Sequence, residues 1–178
     1  MTTAPRPLVS VILGLTILRC SAPVMATPNQ SASDHVRAIN PTIATLIQRA
    51  SERSHTFRGL LDTINASDGI VYIEPGKCGQ SMRGCFENVT MAGTTRLLWV
   101  KVDPRGNECD LIALLGHELQ HTIEVLGDPH VTSFSQMYFF YSRVTNNFQP
   151  AFETLAAERI QETVRAEVRA NSRCSTIY

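Results

Sequence analysis

The stretch Leu111-Ile-Ala-Leu-Leu-Gly-His117-Glu118-Leu-Gln-His121 constrains this chain more than any other. An apolar run leads straight into His-Glu-x-x-His. On a helix, four residues turn through about 400°, so His117 and His121 lie about 40° apart on one face. Two neutral imidazoles at that spacing can grip one zinc ion. Glu118 sits beside them, placed to take a proton from a water molecule. The surrounding residues support a helix here: Asp110 can serve as N-cap, Leu111 to Leu115 form a buried stretch, and Gly127-Asp128-Pro129 is a stop signal. The chain has 5 histidines, so two in one motif at helical spacing argue against coincidence.

The bulk numbers suit one compact globular domain: 178 residues, 43% hydrophobic and 18% charged. Lys+Arg and Asp+Glu are 16 each, which leaves no basic footprint for nucleic acid. Residues 1–26 read as a signal peptide. Arg6 supplies the positive start, Leu8 to Leu18 is an apolar run too short for a comfortable membrane span, and Val24-Met25-Ala26 offers a cleavage site. Leu18-Arg19-Cys20 looks only faintly like a lipoprotein box, and Arg19 argues against it. The expectation is a secreted or periplasmic domain over residues 27–178, with no stable membrane span after cleavage.

Removal of Cys20 leaves Cys78, Cys85, Cys109 and Cys174. An even count in an exported chain reads as two disulfides, with three pairings open. Cys78 and Cys85 flank a glycine-containing turn, which favours a local bridge. Cys109 with Cys174 would then tie the C-terminal tail to the start of the motif helix. A cysteine-zinc site is the rival, but it needs closer spacing than Cys78 and Cys85 provide.

Along the chain, residues 27–34 read as a flexible start. Helices are predicted from Pro41 to Arg49 or Ser51, and from Thr56 to Asn65. Strands are predicted at Ile70 to Ile73, Phe86 to Met91 and Arg96 to Val102, with turns at Ser67-Asp68-Gly69 and Ala92-Gly93-Thr94. Three strands before the motif helix make an α+β domain with a small antiparallel sheet the simplest arrangement. His35 and His55 are read as solvent-exposed or locally bonded. The aromatic-rich segment Val131 to Val144 fits helical spacing, although its aromatic run also allows a strand, and it reads mostly as core. A last helix is predicted from Pro150 to Ala170, with Ala156, Ala157, Ile160, Val164 and Val168 on its apolar face and Glu158, Arg159, Glu162, Arg165 and Arg169 on its solvated face.

The motif segment resembles the active-site helix of the zincin superfamily of zinc metallopeptidases. Ser54-His-Thr-Phe-Arg58, Val71-Tyr-Ile-Glu-Pro75 and Leu115-Gly-His-Glu-Leu-Gln-His121 are also similar to stretches of small, uncharacterised, secreted bacterial proteins carrying the motif. The zincin resemblance implies one zinc ion, a peptide or protein substrate, and Glu118 as catalytic base. It also implies a sheet-edge strand that pairs with extended substrate, for which the segment Leu97 to Val102 or a neighbour is nominated. Tyr138 or Tyr141 could polarise a substrate carbonyl, as tyrosines often do in zincins.

A catalytic zinc needs a third protein ligand. The metzincin pattern fails, because Glu124 and Gly127 stand where it requires Gly and His. The gluzincin pattern instead takes a Glu from a later helix packed across the motif helix. On the predicted last helix, Glu153 falls within about 60° of the apolar face, Glu158 about 140° away and Glu162 about 180° away. Glu167 returns to the apolar side, but about 21 Å along the axis. Glu153 is therefore favoured, as a carboxylate whose burial a metal would offset. Glu124, on the same face as His117, suits a hydrogen bond to His121 better than ligation. His130 is a further alternative. Two other functions stay open: a catalytically inactive metal-binding module, and a disulfide-stabilised exported interaction domain without metal.

Overall fold

Asn40 accepts a hydrogen bond from the Ile43 N–H (2.9 Å) and Ser54 one from Phe57 (2.9 Å). Each satisfies an otherwise orphaned backbone donor, so two helices start where the sequence supplies caps. They are α1 (Pro41–Arg53) and α2 (His55–Asn65). The structure is a computed structural model; it describes Met1 and residues 34–79, 82–144, 152–171 and 173–177. The segment read as a signal peptide lies outside the described residues apart from Met1, as do the predicted chain break at 146–150 and the predicted start of the last helix. The described residues from 34 onward belong to one unit, Ser31–Tyr178.

The sheet contains β1 (Val36–Ala38), β2 (Gly69–Pro75), β3 (Gly84–Ala92) and β4 (Thr95–Val102) in the order β1-β2-β4-β3. β1 with β2 and β2 with β4 are parallel; only β3 with β4 is antiparallel. The sheet is therefore mixed, not antiparallel as expected. The reason lies in the two connections. Gly93 adopts φ 63 in a two-residue hairpin that pairs Ala92 with Thr95, so β3 and β4 must be neighbours. The connection from Gly76 to Arg83 is long enough to step across about 10 Å, two strand spacings, and leave room for β4. β4 is thus central, and β3 is an edge. Leu97 to Val102, the segment nominated as an edge, is therefore internal, and the edges among the described strands are β1 and β3.

Alternate residues of β2 and β4 point inward: Val71, Ile73, Leu98, Val100 and Val102 are fully buried. They pack with Phe57, Ile64, Leu111, Ile112, Leu115 and Leu119 into one core. The motif helix α3 (Glu108–Leu126) runs through this core, and α5 (Leu155–Asn171) packs against it. A Cβ on Gly116 would lie 3.2 Å from Val164 Cγ2, so the glycine permits this close approach. Between them comes α4 (Phe134–Val144), shorter than the segment read as helical. A two-residue pair, β5 (Gly106–Asn107) and β6 (Thr176–Ile177), joins the tail to the entrance of α3.

The N-cap of α3 is Asn107, accepting from Cys109 (3.0 Å) and Asp110 (3.3 Å), and not Asp110 as expected. Asp110 lies inside the first turn and pairs with Arg165 and Arg169. Glu108 is also in that turn and is buried. It is met by Arg49 and Arg53 from α1 and by the Ser175 hydroxyl at 2.9 Å. Burial raises its carboxyl, but the Ser175 and arginine contacts outweigh this and hold it below the usual range. At the other end, buried Arg96 donates to the carbonyls of Val125 (2.9 Å), Leu126 (2.7 Å) and Asp128 (2.9 Å). It also pairs with Asp68. Both ends of the motif helix are thereby fixed by charge.

Two disulfides, Cys78–Cys85 and Cys109–Cys174, have Cα separations of 6.0 and 5.4 Å. They are the favoured pairs and leave no room for a cysteine metal site among these residues. No helix of the described residues is long and apolar enough to cross a membrane.

Candidate metal centre

His117 and His121 are one turn apart on α3 and both buried, at 6% and 5% exposure. Their Nε2 atoms converge to 3.0 Å. Glu153 Oε2 lies 3.3 Å from His117 Nε2. The three donor atoms fall within 4.8 Å of one another, and this is the one such group among the described residues. An ion held at about 2.0–2.2 Å from nitrogen and oxygen donors separates them by about 3.3–3.6 Å in a tetrahedron. The group could hold a metal ion.

The donor chemistry fits a cation. His121 Nδ1 lies 3.1 Å from Glu124 Oε2. Burial raises the Glu124 carboxyl, but hydrogen bonds to His121 and Thr154 more than offset that and hold it ionised. An ionised carboxylate accepts a ring proton from Nδ1, and in the neutral ring that leaves the Nε2 lone pair facing the cleft. His117 Nδ1 is buried without a hydrogen bond, with the Ala157 backbone facing it. Burial, and then the neighbouring His121, hold the His117 imidazole below its usual proton affinity, which favours the neutral ring a metal requires. At these separations the two Nε2 atoms and the Glu153 oxygen can share either a proton or a cation.

Glu118 points into the same cleft from the neighbouring position on α3. It is 4% exposed. Burial pushes its carboxyl up to about 7; the nearby His121 and the Phe86 backbone N–H act in the opposite direction, and Glu153 adds to the rise. β3 passes so close that a Cβ on Gly84 would lie 2.6 Å from Glu118 Oε1. The cleft has two lobes sharing Met82, Gly84, His117, Glu118 and Glu153. The inner lobe, about 50 Å³, is closed by Cys85, Phe86, His121, Tyr141 and Phe152. The outer lobe, about 510 Å³, extends past Arg83, Leu114, Glu158, Gln161 and Glu162.

The structure brings Glu153 to the histidines, but not by the expected route. α5 begins at Leu155, so Glu153 precedes the helix and the angular comparison with Glu158 and Glu162 does not apply to it. It is also 52% exposed at the cleft mouth, not buried. Ala156, expected on the inner face, is exposed, while Ala157, Val164 and Val168 are buried. Glu158 and Glu162 are exposed on α5. Glu167 is remote from the cleft and bonds Thr56 (2.8 Å) and His55 (2.6 Å). Glu124 binds His121, as the sequence reading favoured. His130 faces a separate depression with Phe139 and Arg143.

Tyr141 forms part of the inner wall, and its hydroxyl donates to the His121 carbonyl at 2.8 Å. Tyr138 stands outside the cleft lining and stacks edge-on against Phe139 and Phe152. Thr154, Gly84 and Phe86 were missed from sequence; only the adjacency of Thr154 to Glu153 pointed to any of them.

No protein-family model, curated protein or solved structure matches this chain.

Proposed function

We propose that this chain is an exported, zinc-dependent peptide-bond hydrolase of the gluzincin kind. The carrying observation is that His117, His121 and Glu153 each bring a donor atom within 4.8 Å of the others, beside the buried carboxylate of Glu118. When bound, zinc supplies a Lewis acid that polarises a carbonyl and makes water a better nucleophile at neutral pH.

The protein's own residues handle the proton and the substrate. A Glu118 oxygen accepts a proton from the attacking water and returns it to the leaving amine nitrogen. Its position against Gly84 and the Phe86 N–H fixes the direction from which that proton can be taken. Glu124 holds the His121 ring so that Nε2 faces the ion. Among the described residues, the outer edge of β3 has no partner strand, and it borders the cleft through Gly84 to Phe86. An extended peptide paired there would bring a carbonyl to Glu118. The two disulfides are compatible with an exported protein.

Elemental analysis of the purified protein, followed by a peptide-library digest with wild type and Glu118→Gln, tests this reading. One zinc per chain is expected, with cleavage by wild type and loss of cleavage in the zinc-loaded variant. Metal-loaded wild type that cleaves no peptide would leave a metal-binding interaction module instead. A protein that takes up no metal would leave a disulfide-held structural domain.

A further inference from the structure

Thr154 directly follows Glu153 and occupies the N-cap of α5. Its side chain is largely buried, at 9% exposure. Its Oγ1 accepts from the Ala157 N–H at 3.1 Å, and its carbonyl accepts from the Glu158 N–H at 3.0 Å. A hydroxyl has one proton to donate, and this one goes to Glu124 Oε1 at 2.7 Å. The other Glu124 oxygen meets His121 Nδ1 at 3.1 Å. One side chain thus joins the start of α5, which carries Glu153, to the carboxylate that orients His121.

We infer that Thr154 is a positioning residue that sets the His121 ring and the Glu153 backbone in one frame. The inference rests on the metal-site reading and extends it to a residue that touches no ligand atom. Glu124 is held at both oxygens. Gln120 and Tyr141 also contact this carboxylate; the Thr154 hydroxyl ties it to the start of α5, and without that tie the acceptor of the His121 ring proton is less firmly fixed. Capping alone does not account for this contact, because the cap uses the hydroxyl lone pair while Glu124 takes the proton.

The test uses the full chain with zinc alone, titrated against a chromophoric chelator, alongside ¹⁵N spectra of the histidine rings in the metal-free protein. Thr154→Val should weaken zinc binding by about 10-fold or more, within the range for groups that orient metal-binding histidines. It should also shift His121 away from the single Nδ1–H tautomer. Thr154→Ser should stay within about 3-fold of wild type, because it keeps the hydroxyl. Thr154→Gly retains an acceptable N-cap and loses the donor. It should behave like Val, and it serves where Val does not fold. A folded Val or Gly variant with wild-type zinc affinity and an unchanged tautomer overturns the inference alone. Wild type that takes up no zinc overturns the metal reading, and in that case an unchanged His121 tautomer in Thr154→Gly overturns the role of Thr154 as well.

Discussion

At the scale of single residues, the proposed function divides the site into atoms that would face an ion and atoms that would face the proton. Glu118 belongs to the second group. Glu118→Gln should retain zinc within about 3-fold and lose hydrolysis by about 100-fold or more, measured by titration and by single-turnover cleavage. Full turnover in the variant would remove Glu118 from the mechanism. Gly84 tests the same atom from the opposite wall. A methyl group there meets Glu118 Oε1 at 2.6 Å and Leu114 at 3.0 Å, so the carboxylate must move. Gly84→Ala should lower kcat by about 10-fold with zinc affinity unchanged, since a small displacement of a reacting group is costly and Glu118 is not a ligand. Glu153 shows how far residue patterns could be read. The His117–His121 pair follows directly from helical spacing. Glu153 was reached from a helix that does not extend to it and a burial it does not have; it sits in the non-helical stretch just before the Thr154 cap. The path of that stretch depends on contacts between distant segments, which periodicity does not encode.

At the scale of elements, α3 is stabilised at its entrance by Glu108 among Arg49, Arg53 and Ser175. The Glu108 carboxyl titrates below its ordinary 4.5 in the folded chain. Its contribution is therefore fully present above that value and is lost as pH falls through the lowered folded value. Glu108→Gln should lower the urea midpoint at pH 7, and the difference from wild type should close as pH drops below about 4. A constant difference across that window would contradict the assignment. The helices and three main strands were legible because their apolar periods are local, although α3 is capped by Asn107 and α5 starts at Leu155, not at the expected residues. Strand order was not, since parallel pairing of β2 with β4 depends on which connection crosses the sheet. β1 was missed because Val36–Ala38 is too short to carry a period. The Glu108 and Arg96 contacts were missed because their partners are distant in sequence.

At the scale of the whole molecule, the motif helix is the shared support of core, sheet edge and cleft. The Cys109–Cys174 bridge closes a loop of sequence separation 65 around it. Replacing both cysteines with serine should cost about 2–5 kcal/mol of stability, read by denaturant unfolding, and a change below about 0.5 kcal/mol would show that the tail is not part of this support. The central claim is that one ion is held by His117, His121 and Glu153. Anomalous diffraction at the zinc absorption edge, from crystals grown with the metal, tests it most directly. The account predicts one peak about 2.0–2.2 Å from the Nε2 atoms of His117 and His121 and from a Glu153 oxygen. A peak bound by Glu124 or His130 in place of Glu153 would contradict the ligand set, and no peak between the two histidines would contradict the metal centre itself.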